Sequence, residues 1–289
     1  MKPIFCSLFL LSQLFAHSQR IHGDLYAGVS NYQGDLQAKQ FTFNDAELAL
    51  GLGMSYDITN HLIIRGIASY LNVTGKDEPG VPAYDVFARN VSFHSRILEA
   101  QLALEYNIFD LEERGYTPYV FAGIAAFHFS PYTFDSTGKK EYLRTYGTEG
   151  QGLPQYPEKE LYKNKQISIP FGGGIKFLLS DNLQVGVEMG LRKLFTDYLD
   201  DVSGTYADSA ILAAARGPQA AALAHRGSEI KGVNAPYPLA GAVRGNPESL
   251  DWYYTTVFRI SYRFGGNSGS NSRGGSSRKS RMGCPVNVY

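Results

Sequence analysis

Between Glu47 and Ile58 the chain alternates with a period of two. Leu48, Leu50, Leu52, Met54, Tyr56 and Ile58 take one parity, and Glu47, Ala49, Gly51, Gly53, Ser55 and Asp57 take the other. Successive side chains of a strand point to opposite faces, so this segment reads as a β-strand with one apolar face and one polar or small face. The pattern returns over residues 98–108, 167–177, 183–191 and 256–264, and more weakly over 24–32, 62–71 and 116–129. In the second of the weaker segments Arg65 and Ser69 mark the polar face. Eight strands are predicted.

The connections sort by length. Thr59 and Asn60 join the second and third segments, FDLEERG joins the fourth and fifth, and Ser180, Asp181 and Asn182 join the sixth and seventh, all turn-forming residues. Long connections follow the first, third, fifth and seventh segments, the longest running over about 195–251. A soluble eight-stranded barrel turns its apolar face inward and has no reason to sort its loops. A transmembrane barrel of the outer-membrane type has short periplasmic turns, long extracellular loops and a lipid-facing apolar wall. Ten to twelve residues per tilted strand span its apolar band of about 25 Å. The sequence therefore predicts an all-β, eight-stranded antiparallel transmembrane barrel in the outer membrane, with amino and carboxyl ends on the periplasmic side.

With the polar faces turned inward, the lumen receives Glu47, Glu99, Glu105 and Glu188 beside Arg65, Lys176, Arg192, Arg259 and Arg263. Eight strands enclose room for side chains or one small ligand. Isolated charges are costly there, so these residues are expected to pair into an electrostatic plug rather than line a channel. An ion or proton pathway is the functional alternative.

The amino terminus adds a compartment. Lys2, a mostly apolar run from Ile4 to Phe15 and the small-x-small site Ala16-His17-Ser18 read as a cleaved signal peptide over residues 1–18. The barrel domain is then 19–265, followed by a flexible basic tail over 266–289. That Gly/Ser-rich tail carries Arg273, Arg278, Lys279 and Arg281, with Cys284 the one cysteine left once Cys6 is cleaved away. Two readings stand: a periplasmic contact arm, fastened through Cys284, or a disordered tail with an incidental cysteine.

Charge and composition narrow the function class. Lys+Arg and Asp+Glu are both 27, so the basic excess of a nucleic-acid binder is missing. The mature histidines (His22, His61, His94, His128, His225) show no metal-ligand spacing, and neither a Gly-x-Ser-x-Gly elbow nor a phosphate-binding loop occurs. Asp197, Asp200, Asp201 and Asp208 cluster in FTDYLDDVSGTYAD without the Gly and Glu positions of the twelve-residue calcium loop, so surface capping and turn chemistry is the expected role. The alanine-rich stretch behind them predicts two short helices broken at Gly217-Pro218. No catalytic, cofactor or metal residue is predicted, and the expected class is non-enzymatic. A lipid-modifying barrel enzyme, needing Ser, His and an acid near the membrane rim, is the third class considered.

The segments GVSNYQGDL, RILEAQLALEYNIFD, TPYVFAGIAAFHF, GTEGQGLPQYP, ISIPFGGGIKF and FTDYLDDVS together resemble a Bacteroidota family of outer-membrane barrels that includes the PorG-type component of the type IX secretion system. The similarity spans roughly 23–264. GTEGQGLPQYP and the alanine-rich last loop depart from the PorG-like pattern and leave open a sister barrel of structural or adhesive role. The resemblance implies a barrel in a two-membrane bacterium, an accessory of type IX secretion contacting outer-membrane lipid and periplasmic or lipoprotein components. It brings no catalytic residues and no cofactor.

Overall fold

The structure, a computed structural model, describes residues 20–37, 42, 45–77, 89–231 and 235–264. The signal segment and the basic tail with Arg273, Arg278, Lys279, Arg281 and Cys284 lie outside the described residues.

Eight long strands close into one antiparallel barrel: β1 (Ile21–Gln33), β2 (Glu47–Asp57), β3 (Leu62–Lys76), β4 (Ser92–Asn107), β5 (Tyr116–Phe134), β7 (Lys165–Ser180), β8 (Leu183–Leu194) and β9 (Trp252–Arg263). Sequence neighbours pair throughout, and β1 closes on β9 with Leu25 opposite Ile260. A short strand the sequence pattern does not reveal, β6 (Lys140–Tyr142), folds back on the end of β5.

The outward parity forms an apolar wall. Leu52 is 64% exposed, Ile124 68% and Phe258 69%. Such a surface is stable only against lipid. Tyr56, Tyr106, Tyr116, Phe177, Tyr262 and Phe264 ring the short-turn end of the wall, and Trp252 and Phe195 lie at the other. These are the aromatic girdles of an outer-membrane barrel.

β3, β4 and β5 run past their expected ends, all on the long-loop side. There the parities exchange chemistry. Asn72, Thr74, His94, Arg96 and Ser130 point outward, while Val73, Phe93, Ile97 and Phe129 are buried inside. A rule of apolar-out stops at the membrane edge, where the outside becomes water and the inside meets the loops.

The short turns have local causes. Asp110 caps α1 (Leu111–Arg114) by accepting from the Glu112 and Glu113 amides, and Gly115 ends it at φ 80°. In the last loop Asp208 caps α3 (Ser209–Arg216), Gly217 breaks the chain at φ 87°, and Pro218 starts α4 (Pro218–Ala224). The two helices stand where the alanine-rich stretch predicts them. With β6 and α2 (Leu143–Tyr146) they form an ordered layer over the barrel mouth. Leu36, Leu143, Leu199, Val202 and Leu223 of the loops pack into one core with Tyr32, Phe93 and Phe129 of the strands.

Candidate functional site

The lumen near the short-turn end is filled by three cations and three carboxylates from six strands. Arg65 of β3 grips Glu188 of β8 through Nη1 (2.6 Å) and Nη2 (3.1 Å), and Nη1 also reaches Glu105 of β4 at 3.0 Å. Glu105 accepts from Lys176 of β7 at 2.5 Å and from Arg259 of β9 at 2.6 Å. Arg259 in turn holds Asp24 of β1 at 3.0 Å, and the Ser261 hydroxyl donates to the same carboxylate oxygen. Tyr119 donates to Glu188 at 2.9 Å, and the Arg65 guanidinium lies 4.1 Å from the centre of the Phe121 ring. Room for Tyr119 comes from Gly174 across the register: a Cβ there would sit 2.8 Å from the phenol oxygen.

One step toward the mouth sits a second neutral pair. Arg192 of β8 reaches Glu99 of β4 at 3.2 Å, and Tyr253 donates to Glu99 at 2.5 Å. Thr255 accepts from Arg192 at 2.6 Å. Four cations and four carboxylates, each at least nine-tenths buried, therefore cancel within the lumen. Each charge is met by an opposite one, the condition for tolerating ions out of water.

Of the nine lumen residues taken from the sequence, Arg65, Glu99, Glu105, Lys176, Glu188, Arg192 and Arg259 meet in these two sets. Glu47 and Arg263 have inward parity but lie at opposite rims. Glu47 opens β2 half-buried at the long-loop end, and Arg263 at the short-turn end pairs with Glu112 (2.7 Å) and Asp57 (3.9 Å). A strand's parity says which way a side chain points, not how deep it sits. Asp24 is the lumen carboxylate the sequence pattern misses, since it opens the weak first segment.

Above the ions the lumen turns apolar and then meets a polar loop layer. Glu149, fully buried, accepts from the Ser203 amide at 2.9 Å and from Arg244 at 3.0 Å. Arg244 also donates to the Asp201 carbonyl at 2.6 Å, and Arg89 binds Asp77 at 2.5 Å and donates to the Arg244 carbonyl. Glu149 belongs to GTEGQGLPQYP, so the segment that departs from the PorG-like pattern ties the layer together.

The aspartate cluster is a correction. Asp208 is a helix cap, as expected, but Asp197, Asp200 and Asp201 are buried rather than at the surface. Tyr32 donates to Asp200 at 2.5 Å and to Asp251 at 3.2 Å, and Asp251 accepts from the Leu199 amide at 2.9 Å. Tyr162 and Thr148 donate to Asp201 at 2.7 and 2.6 Å. Asp201 sits at φ 67°, a left-handed conformation that Asp tolerates better than most residues. Burial pushes Asp197 up to about 8, helped by Asp200, Asp35 and Glu149 nearby, and Asp201 to about 6. Burial next to Asp35 raises Asp200, and burial next to Asp200 and Asp197 raises Asp251. The available sequence signal was the interleaving of Phe195, Tyr198, Leu199 and Val202 with the acids, a half-buried loop rather than a solvated one. Among the described residues no group of three His, Cys, Asp or Glu has metal-ligand geometry.

A family model described as a domain of unknown function, DUF6089, matches residues 2–213. No curated protein matches the chain. Among solved structures it is similar to Neisserial surface protein A, with 8% identity, 84% of this chain and 97% of that one covered, and a TM-score of 0.41. It is similar to the attachment invasion locus protein Ail of Yersinia pestis, solved with the heparin analogue sucrose octasulfate, at 10% identity, 85% and 99% coverage and TM-score 0.39. OprG of Pseudomonas aeruginosa follows at 12% identity, 85% and 97% coverage and TM-score 0.38.

Proposed function

This chain belongs to the DUF6089 family, described as a domain of unknown function, and from that premise we propose that it is a sealed, non-enzymatic docking barrel serving as an accessory of type IX secretion. The observation that carries the docking half is the doubly closed bore. Ion pairs fill one end, and an ordered loop layer packs into the other. A barrel so closed offers its partners surfaces rather than a passage. The secretion half rests on the motif set from GVSNYQGDL to FTDYLDDVS. In this reading the short turns and both termini face the periplasm, where protein partners meet the barrel, and the loop layer faces outward.

Deleting the gene and following export of type IX cargo tests the secretion half. Loss of cargo from the medium, restored by the intact gene, is the expected result. Normal export would remove the secretion role and leave a structural or adhesive barrel, for which the ordered outward loop layer is the supporting feature.

A further inference from the structure

Across the eight barrel strands, the outward positions carry four permanently charged side chains: Lys76, Arg96, Lys165 and Lys193. All four are cations, all are exposed, and all stand at the long-loop ends of their strands. No outward position of these strands is acidic. Arg96 and Lys193 lie 5.9 and 6.0 Å from the ring centres of Tyr132 and Trp252, the posture of cations held at an interface. Below this rim the lipid-facing wall is hollowed. Ala68, Ala100 and Ala126 stand directly opposite one another on β3, β4 and β5, while Leu98, Ile124 and Ile167 rise around them. Two adjoining hollows of about 620 and 560 Å³ share Ala100, Ala126 and Ile167, and the upper one ends against His128 and Lys165.

We propose that this trough holds one acyl chain of an anionic phospholipid, with its phosphate against Lys165 and Arg96. The shape and the charge point to the same occupant. From His128 to Ile124 the strand advances about 13 Å, the length of an acyl chain's upper part, and its walls are aliphatic. The phosphate falls where two cations stand on β4 and β7, the strands that flank β5, with no acidic outward position on the barrel strands. Basic side chains at a membrane surface favour anionic headgroups in a salt-dependent way. Shape holds the chain and charge selects the headgroup. The preference rests on the membrane placement of the barrel and not on the docking role, so it stands or falls apart from cargo export.

The full-length protein in detergent micelles, doped equally with dimyristoylphosphatidylglycerol and dimyristoylphosphatidylcholine, provides the test. The two lipids share their chains, and native mass spectrometry counts what stays bound. Wild type is expected to retain the glycerol lipid over the choline lipid by roughly fivefold. Arg96→Glu with Lys165→Glu should abolish that preference without loss of folding. Ala100→Phe with Ala126→Phe should lower retention of both lipids, and the milder Ala100→Leu should do so in part. Heat-modifiable migration on gels certifies each variant as folded. Equal retention of both lipids by wild type, or full retention by a folded variant with a filled trough, would overturn the proposal.

Discussion

Replacing Glu105 with leucine is expected to destabilise the barrel by about 3–5 kcal/mol, the cost of leaving buried ions without their partner. Among the described residues Glu105 is the one carboxylate that touches three cations, Arg65, Lys176 and Arg259. Arg65 keeps Glu188 and Arg259 keeps Asp24, but Lys176 loses the carboxylate that neutralises it. The lower set then holds three cations against two carboxylates in a space closed to water. Adding Lys176→Met restores the balance, so the double variant should recover much of the loss, a coupling of neighbours rather than a sum. Urea midpoints of protein folded into lipid vesicles, read from unboiled gels, give both numbers. A loss under about 1 kcal/mol for Glu105→Leu would mean the lumen is wetter than the ion pairs imply. Glu188→Gln should also destabilise, because it weakens both the Arg65 clamp and the Tyr119 hydrogen bond. Glu47→Gln, at the rim, should cost within about 0.5 kcal/mol.

Raising the pH from about 6 to about 9 is expected to loosen the loop layer while the strands hold. Asp197 in the folded layer is pushed up to about 8 from an ordinary 3.8, so the fold keeps a proton that the opened loop releases. A carboxyl raised in the folded state stabilises fully below its unfolded value, and that contribution disappears as pH climbs through the folded value. Asp200, Asp201 and Asp251 shift in the same direction and add to the effect. The groups facing the cluster are Asp35 behind β1, Glu149 in its loop, Tyr32 of β1, and the cations Arg89 and Arg244, which bind Asp77 and Glu149. Hydrogen exchange, normalised at each pH to the unstructured rate, should show protection falling at the Leu199, Val202 and Ser203 amides and holding in β3 and β4. Asp197→Asn should flatten much of this dependence. Protection that stays level or rises toward pH 9 would contradict the account.

The fold is legible in the sequence because its dominant force has the strand's own period. Lipid on one side and a polar or small lumen face on the other imprint alternate residues over β2, β4 and β8, with buried charges on β4 and β8. The pattern fails where the environment changes rather than the structure. Phe93, Ile97 and Phe129 turn inward above the membrane, and parity read as apolar-out ends those strands early. Most of the lumen set was visible as charge on the inner parity, but depth was not, which is why Glu47 and Arg263 belong to the rims. The loop layer was invisible for another reason. Arg244 meets Glu149 across 95 positions and Tyr32 meets Asp200 across 168. Contacts of that span leave no periodicity, and a run of aspartates with serine and glycine looks like solvent-facing loop until its partners are in place.

Ion pairs close the bore at one end and packed loops close it at the other. Planar-bilayer recording of the purified full-length protein at neutral pH tests this closure most directly. No stable conductance step above the bare membrane is expected at any moderate voltage. A persistent open pore in wild type, present in every insertion, would contradict it.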